Sequence, residues 1–244
     1  AALGLPHVHY DLAEETRTGV RGSVCRNFAA SPNVLVLGNQ LMLERDSAYP
    51  ASEDRKYGVR EHTIDAVIET VAKLEEPPME YLRRMPSEVK SSLDVFVGYV
   101  MLDALIANQD RHHQNWGALR DRTKTRLAPT FDHGAGLARN EPDQTRQIRL
   151  YGRDRGYGIE AFATKARSSL YDGGKKPLTT LAAFEAISKR NPKASAAWLH
   201  RLKELDLTTI QSMIARVPEE RMTPIAREFT VRLLLINQSR LHKD

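Results

Sequence analysis

Asp110, Asn115 and Asp132 are of the types, and at the spacing, that phosphoryl transfer uses. The first two lie five residues apart in the run Asn108-Gln109-Asp110-Arg111-His112-His113-Gln114-Asn115-Trp116-Gly117. An aspartate on such a loop accepts the proton of an attacking hydroxyl, being anionic yet only a weak base. An asparagine five positions later offers a hard cation a neutral oxygen without adding charge repulsion. Asp132 follows in Leu127-Ala128-Pro129-Thr130-Phe131-Asp132-His133-Gly134, where a short apolar run ends at a glycine-containing turn. That layout suits a carboxylate that meets the phosphates of ATP through Mg²⁺. Leu119–Arg126, between the two motifs, reads as a hairpin. Either motif alone is a common pattern. In this order, 22 residues apart from Asp110 to Asp132 and behind a helix, they point to phosphoryl transfer.

Other readings of the same residues are simpler. Asp and Asn cap turns wherever loops are found. His112, His113 and His133 could suggest a metal cluster, but zinc requires three or four converging ligands. His112 is better read as a hydrogen bonder that shapes the loop, and His133 stays open. Trp116 reads as core. The basic segment Arg149–Arg155, with Tyr151 and Tyr157 nearby, reads as a solvated loop, with a docking loop for a protein substrate as the other reading.

The helix that must carry this loop is legible. Val89, Leu93, Val97, Val100, Met101 and Leu105 form an apolar stripe over roughly 87–107. A loop this polar on a buried helix is a common way to present reactive groups. Upstream, Ile64, Val67, Ile68, Val71 and Leu74 recur at helical spacing, and Pro77-Pro78 ends that helix. Downstream helices are expected near 180–190, 194–204 and 208–216. The last begins at Thr223-Pro224, an N-cap followed by first-turn proline, and runs to about 241. His7–Leu12, Gly19–Cys25 and Val34–Leu37 read as strands. Gly38-Asn39 reads as a turn, 43–60 as a linker, and 119–177 as loop-rich with little periodicity.

The 244 residues suffice for a real core, and no apolar run approaches bilayer length. A single cysteine, Cys25, excludes an intrachain disulfide or a thiolate cage, and a reducing cytoplasm fits best. The net charge of +5 reads as a mildly basic surface, with neither membrane nor direct nucleic-acid binding expected. The chain begins Ala-Ala-Leu, with no secretory signal pattern, and suggests a processed product or a fragment.

The run N-Q-D-R-H-H-Q-N-W-G followed by L-A-P-T-F-D-H-G resembles the HipA-like serine/threonine kinases, bacterial toxin-type enzymes. The resemblance implies Asp110 as catalytic base, Asn115 and Asp132 as metal ligands, and Asn108, Arg111 and His112 as loop-shaping residues. It implies ATP and Mg²⁺ as cofactors, a protein substrate of unknown identity, and a DNA-binding antitoxin partner. Arg26-Asn27-Phe28 would be the hinge that meets the adenine edge, with an ordinary strand end as the other reading. The fold implied is α+β and protein-kinase-like, with 1–42 the remnant of a small β-strand lobe and 43–244 a mainly helical lobe. One feature departs from the family. Kinases use a glycine-rich loop and a strand lysine on the phosphates. Here the earliest lysine is Lys56, in the expected linker. A truncated fragment, a small-molecule or lipid phosphotransferase, and a non-catalytic pseudokinase-type binding module are therefore the competing expectations.

Overall fold

The structure is a computed structural model that describes residues 2–52, 54–82 and 84–242. Its centre is helix α4, Ser92–Ile106. Ser91 and Asp94 start it with a reciprocal capping box, which satisfies two of the free N–H groups of the first turn. The sequence predicts one apolar stripe on this helix, but the burial runs all round it. A helix that is apolar on every side belongs inside a bundle. Here α7 (Thr180–Arg190), α8 (Pro192–Lys203) and α10 (Pro224–Leu241) pack around α4. Gly98 permits the closest approach. A Cβ there would overlap the Trp198 ring and the Leu5 side chain, so the helix face must stay bare.

The other helical expectations hold in outline. Thr63 caps α2 (Ile64–Val71), and Thr223 caps α10 with Pro224 in the first turn. Asn191 caps α8, so Pro192 opens that helix rather than merely following α7. Helix α9 is Leu207–Ala215, and a short α3 spans Met79–Leu82. Among the described residues, no helix is long and apolar enough to cross a membrane.

The strands form two separate sheets. Strands β1 (Tyr10–Glu14) and β2 (Arg21–Cys25) make an antiparallel hairpin, register Tyr10 to Cys25. Strands β3 (Val34–Leu37), β4 (Gly117–Arg120) and β5 (Thr125–Leu127) make the second, in the order β3-β4-β5. Strands β4 and β5 are the hairpin expected between the two motifs. Asp121 accepts the N–H groups of Thr123 and Lys124 at its turn. This sheet positions the site, because β4 leaves the Asp110 loop and β5 leads into Asp132. A small apolar cluster of Val8, Leu119, Ala128 and Phe131 sits beside it.

Three sequence expectations are corrected. Gly38-Asn39 is not a turn but the start of helix α1, Gly38–Arg45. A Cβ on Gly38 would overlap the Trp116 ring, so this glycine serves close packing rather than a bend. The expected linker is not free either. Its first residues belong to α1, and Tyr49 and Val59 are buried beyond it. The 119–177 region holds two further helices, α5 (Asp143–Tyr151) and α6 (Ile159–Lys165). Arg149 at the end of α5 pairs with Glu141 at 2.7 Å and stacks 4.2 Å from the Tyr157 ring centre, so it is not a freely solvated charge.

Candidate active site

The loop that carries Asp110 begins where α4 ends. Ala107 adopts the left-handed conformation, φ +51°, and its N–H bonds back to the carbonyl of Asp103. Asn108 N–H bonds to the same carbonyl at 2.8 Å. This turn throws the chain off the helix at a cost of about 1–2 kcal/mol for a residue with a Cβ. The side chains around it repay that cost. Arg111 grips Asp103 through two nitrogens, Nε to Oδ2 at 2.8 Å and Nη2 to Oδ1 at 2.9 Å. Asn108 Nδ2 donates to Asp103 Oδ1 at 2.7 Å. Arg111 also donates to the carbonyl of Asn115 at 2.7 Å and to Thr130 Oγ1 at 3.0 Å. One buried guanidinium thus ties together the helix end, the loop and the segment before Asp132. The pair is almost wholly out of water, with the Arg111 side chain 1% and that of Asp103 3% exposed. Its hydrogen bonds are charge-assisted, which is what makes such a burial tolerable.

Asp110 stands on this support with its side chain 23% exposed. Its N–H donates to Asn108 Oδ1 at 3.3 Å. Asn115 Nδ2 donates to the Asp110 carbonyl at 2.8 Å and to Asp110 Oδ2 at 3.3 Å. A carbonyl only accepts, so the amide nitrogen of Asn115 must face Asp110. Its Oδ1 is then the atom left for a cation. Asp110 Oδ1 takes the hydroxyl of Tyr57 at 2.5 Å, and His112 Nε2 lies 3.6 Å from the same oxygen. His112 Nδ1 accepts the N–H of Gln114, so the neutral ring carries its proton on Nε2, toward Asp110. Burial lowers the His112 pKa. Asp110 opposes that shift and the Lys56 ammonium adds to it.

Asp132 is exposed and left-handed, φ +52°. Its N–H donates to Tyr10 Oη on β1 at 3.2 Å. The charges of Asp110 and Asp132 both push the Tyr57 phenol pKa up, and both oppose the lowering of the His112 pKa. Hydrogen bonds and the Tyr57–His112 ring contact bring Asp110, Asn115, His112 and Tyr57 together, and the Asp132 charge acts on both Tyr57 and His112. The donor set suits Mg²⁺, which takes oxygen ligands and is held by one or two carboxylates plus phosphates rather than by a full protein cage. Among the described residues there is no cluster of three or more His, Cys, Asp or Glu side chains able to hold a metal ion.

The expected hinge residues reach the Asp132 segment through Phe28. Phe28 packs on Phe131, ring centres 5.6 Å apart, and so touches the residue before Asp132. Arg26 and Asn27 are exposed, and all three line a cavity of about 790 Å³ with His7–His9 and Tyr81. Asp110, Asn115 and Asp132 do not line it.

Behind the loop lies a layer of neutral histidines. His62 Nε2 accepts Trp116 Nε1–H at 3.1 Å, and its Nδ1–H donates to the Ser169 carbonyl at 3.0 Å. Burial pushes its pKa down to about 3. His113 bonds the Tyr49 hydroxyl at 2.8 Å through Nδ1 and the Arg55 carbonyl at 2.9 Å through Nε2. His133 meets Thr130 Oγ1 at 2.8 Å, and burial brings its pKa down to about 4. Trp116 is buried core, as expected.

Sequence reasoning missed Asp103, Thr130, Tyr10 and Tyr57. Asp103 had a signal, as a carboxylate on an apolar helix seven residues before Asp110. A charge there must be paired to be buried. The two tyrosines had none, since they reach the site from 122 and 53 residues away in sequence.

Residues 44–222 match the HipA-like C-terminal domain. The fold resembles the crystal structure of a Helicobacter pylori proinflammatory kinase, CtkA, with TM-score 0.73 and 21% identity, over 98% of this chain and 76% of that one. It also resembles HipA from Shewanella oneidensis MR-1, solved with HipB and its operator DNA, with TM-score 0.58 and 11% identity. That match takes in 98% of this chain but only 52% of HipA, so the chain spans about half the length of that protein. No curated protein sequence matches the chain.

Proposed function

The chain belongs to the HipA-like C-terminal domain family, and from that premise we propose that it transfers the γ-phosphoryl group of ATP to a serine or threonine hydroxyl of another protein. The observation that carries this reading is Asp110. Its carboxylate already accepts a hydrogen bond from a hydroxyl at 2.5 Å, which is what a base does to orient an attacking alcohol. Asn115 and Asp132 would hold Mg²⁺ through oxygen, and the bound metal would neutralise charge on the phosphates as the bond breaks. Asn108 and Arg111 act through Asp110, by fixing the loop that bears it. His112 Nε2 lies 3.6 Å from Asp110 Oδ1, and its N–H would help to hold the carboxylate toward the acceptor as the site closes on substrate.

In this reading residues 1–42 are the end of the strand-rich lobe and 43–244 the helical lobe. Strand β3 ties the two together through its pairing with β4. The hinge role falls to Phe28, which contacts Phe131, with Arg26 and Asn27 along the same cavity. The Shewanella HipA complex with HipB and DNA supports carrying over an antitoxin-type partner, and the reading takes the protein to work in the cytoplasm.

The test is thermal stabilisation by Mg-ATP, comparing the chain with Asp132→Asn. Binding raises stability by about 2.7 kcal/mol at a hundredfold excess of ligand over its dissociation constant. The expected outcome is a Mg-dependent shift that the variant loses. No shift at millimolar Mg-ATP would remove the reading for this chain.

A further inference from the structure

Tyr57 is exposed as a residue, yet its hydroxyl sits on Asp110 Oδ1 at 2.5 Å. Its ring meets His112 edge-on, with ring centres 5.2 Å apart. This is no surface side chain caught at random, because the segment that carries it is fastened to the site on both sides. Upstream, Asn39 Nδ2 donates to the Ala51 carbonyl at 2.9 Å. His113, on the same loop as Asp110, holds the Tyr49 hydroxyl and the Arg55 carbonyl. Downstream, Val59 and His62 are buried, and Trp116 bonds His62. Arg55 closes the bend by donating to the Gly58 carbonyl at 3.1 Å. Between these anchors Tyr57 projects its oxygen to the spot that an acceptor hydroxyl must take.

We propose that Tyr57 is a phosphoryl acceptor built into the chain, modified in cis by the site it fills. The inference rests on the phosphotransfer reading above and adds an acceptor to it. In the step, Tyr57 Oη–H gives its proton to Asp110 Oδ1. A bond forms between Oη and the γ-phosphorus of the nucleoside triphosphate. The bond from that phosphorus to the β–γ bridging oxygen breaks, nucleoside diphosphate departs, and the proton passes from Asp110 to water. The product phosphotyrosine is dianionic and faces Asp110, so repulsion drives it off the base. Its departure opens the acceptor position to other hydroxyls, and modification of Tyr57 thereby precedes turnover on a separate protein.

Two measurements test this. The first incubates the full chain with Mg-ATP and reads ADP release, labelling of an added generic protein acceptor, and phosphorylation by peptide mass spectrometry. One phosphoryl group on the Tyr57 peptide is expected, gained at a rate independent of protein concentration and lost in Asp110→Asn and in Tyr57→Phe. ADP release or acceptor labelling with Tyr57 unmodified would overturn the cis acceptor and leave the kinase reading standing. No ADP release and no labelling of any kind would overturn both. The second measurement needs no turnover. The Tyr57 contribution to the ultraviolet titration, isolated as the difference from Tyr57→Phe, should move down from about 12 in Asp110→Asn, because the hydrogen bond to the carboxylate is the largest cause of its raised value. A titration unaltered by that substitution means that the phenol is not seated on the base, and the proposal fails.

Discussion

The loop from Asp103 to Gly117 and the β1–β2 hairpin both reach the same site but are built on opposite principles. Behind Asp110, the side chains of Asp103, Asn108, Arg111 and Asn115 are tied to one another and to the loop backbone in the protein interior. Arg111 alone serves Asp103, Asn115 and Thr130. The hairpin is nearly all exposed, with Leu12, Val20 and Val24 open to solvent. It joins the body at its edges, through Arg21 to the Glu220 carbonyl, Arg221 to the Ala13 carbonyl, and Tyr10 to Asp132. An isolated two-stranded hairpin is at best marginally stable in water. The base of the site is therefore fixed by the core of the domain. The hairpin side is held by local pairing and a few polar contacts, which is where motion or further contacts are easiest to accommodate.

The largest way to break this contrast is at Arg111. Removing it as Arg111→Met strands a buried Asp103, and such a loss costs about 3–5 kcal/mol. Urea unfolding should show that drop, with a smaller one in the double variant Arg111→Met/Asp103→Leu, where no charge is left unpaired. A single substitution costing no more than a surface change would mean that the loop is not core-supported.

Acid should sharpen the contrast. His62 and His133 are held neutral behind the loop, with pKa values near 3 and 4 against an ordinary 6.5. The unfolded chain takes up protons that the folded chain refuses, so stability is greatest above 6.5 and falls as the pH drops toward those values. Each group contributes up to about 1.4 kcal/mol per pH unit. Unfolding measured at stepped pH should show that decline, and a flat profile across the window would contradict the neutral, buried layer.

The smallest effect is expected at the hairpin. Leu12→Thr and Val24→Thr lie on exposed strand faces and should change stability by no more than about 0.5 kcal/mol. A larger loss in denaturant unfolding would show that the hairpin is part of the cooperative core after all.

The sequence by itself determined the parts of this protein that depend on short-range pattern. The five-residue step from Asp110 to Asn115, the hairpin between the motifs, and helices α2, α4, α7 and α10 were all legible. In each, neighbours within a few turns supply the hydrophobic period or the cap. Patterns with two solutions were not legible. Gly38-Asn39 suits a turn as well as a helix start, and in the fold Trp116 packs against Gly38 while Gln40 accepts the Leu37 N–H at the helix start. Helices α5 and α6 lie in a polar stretch whose order comes from packing on α10. The linker looked solvated because its few apolar residues are widely spaced. Tyr49, Val59 and His62 nevertheless each find a separate place on the domain. The tertiary structure alone decided that Tyr57 meets Asp110 and that Tyr10 meets Asp132. Such contacts join residues far apart in the chain, and their free energy comes from burial and hydrogen bonds that exist only once the whole fold has closed.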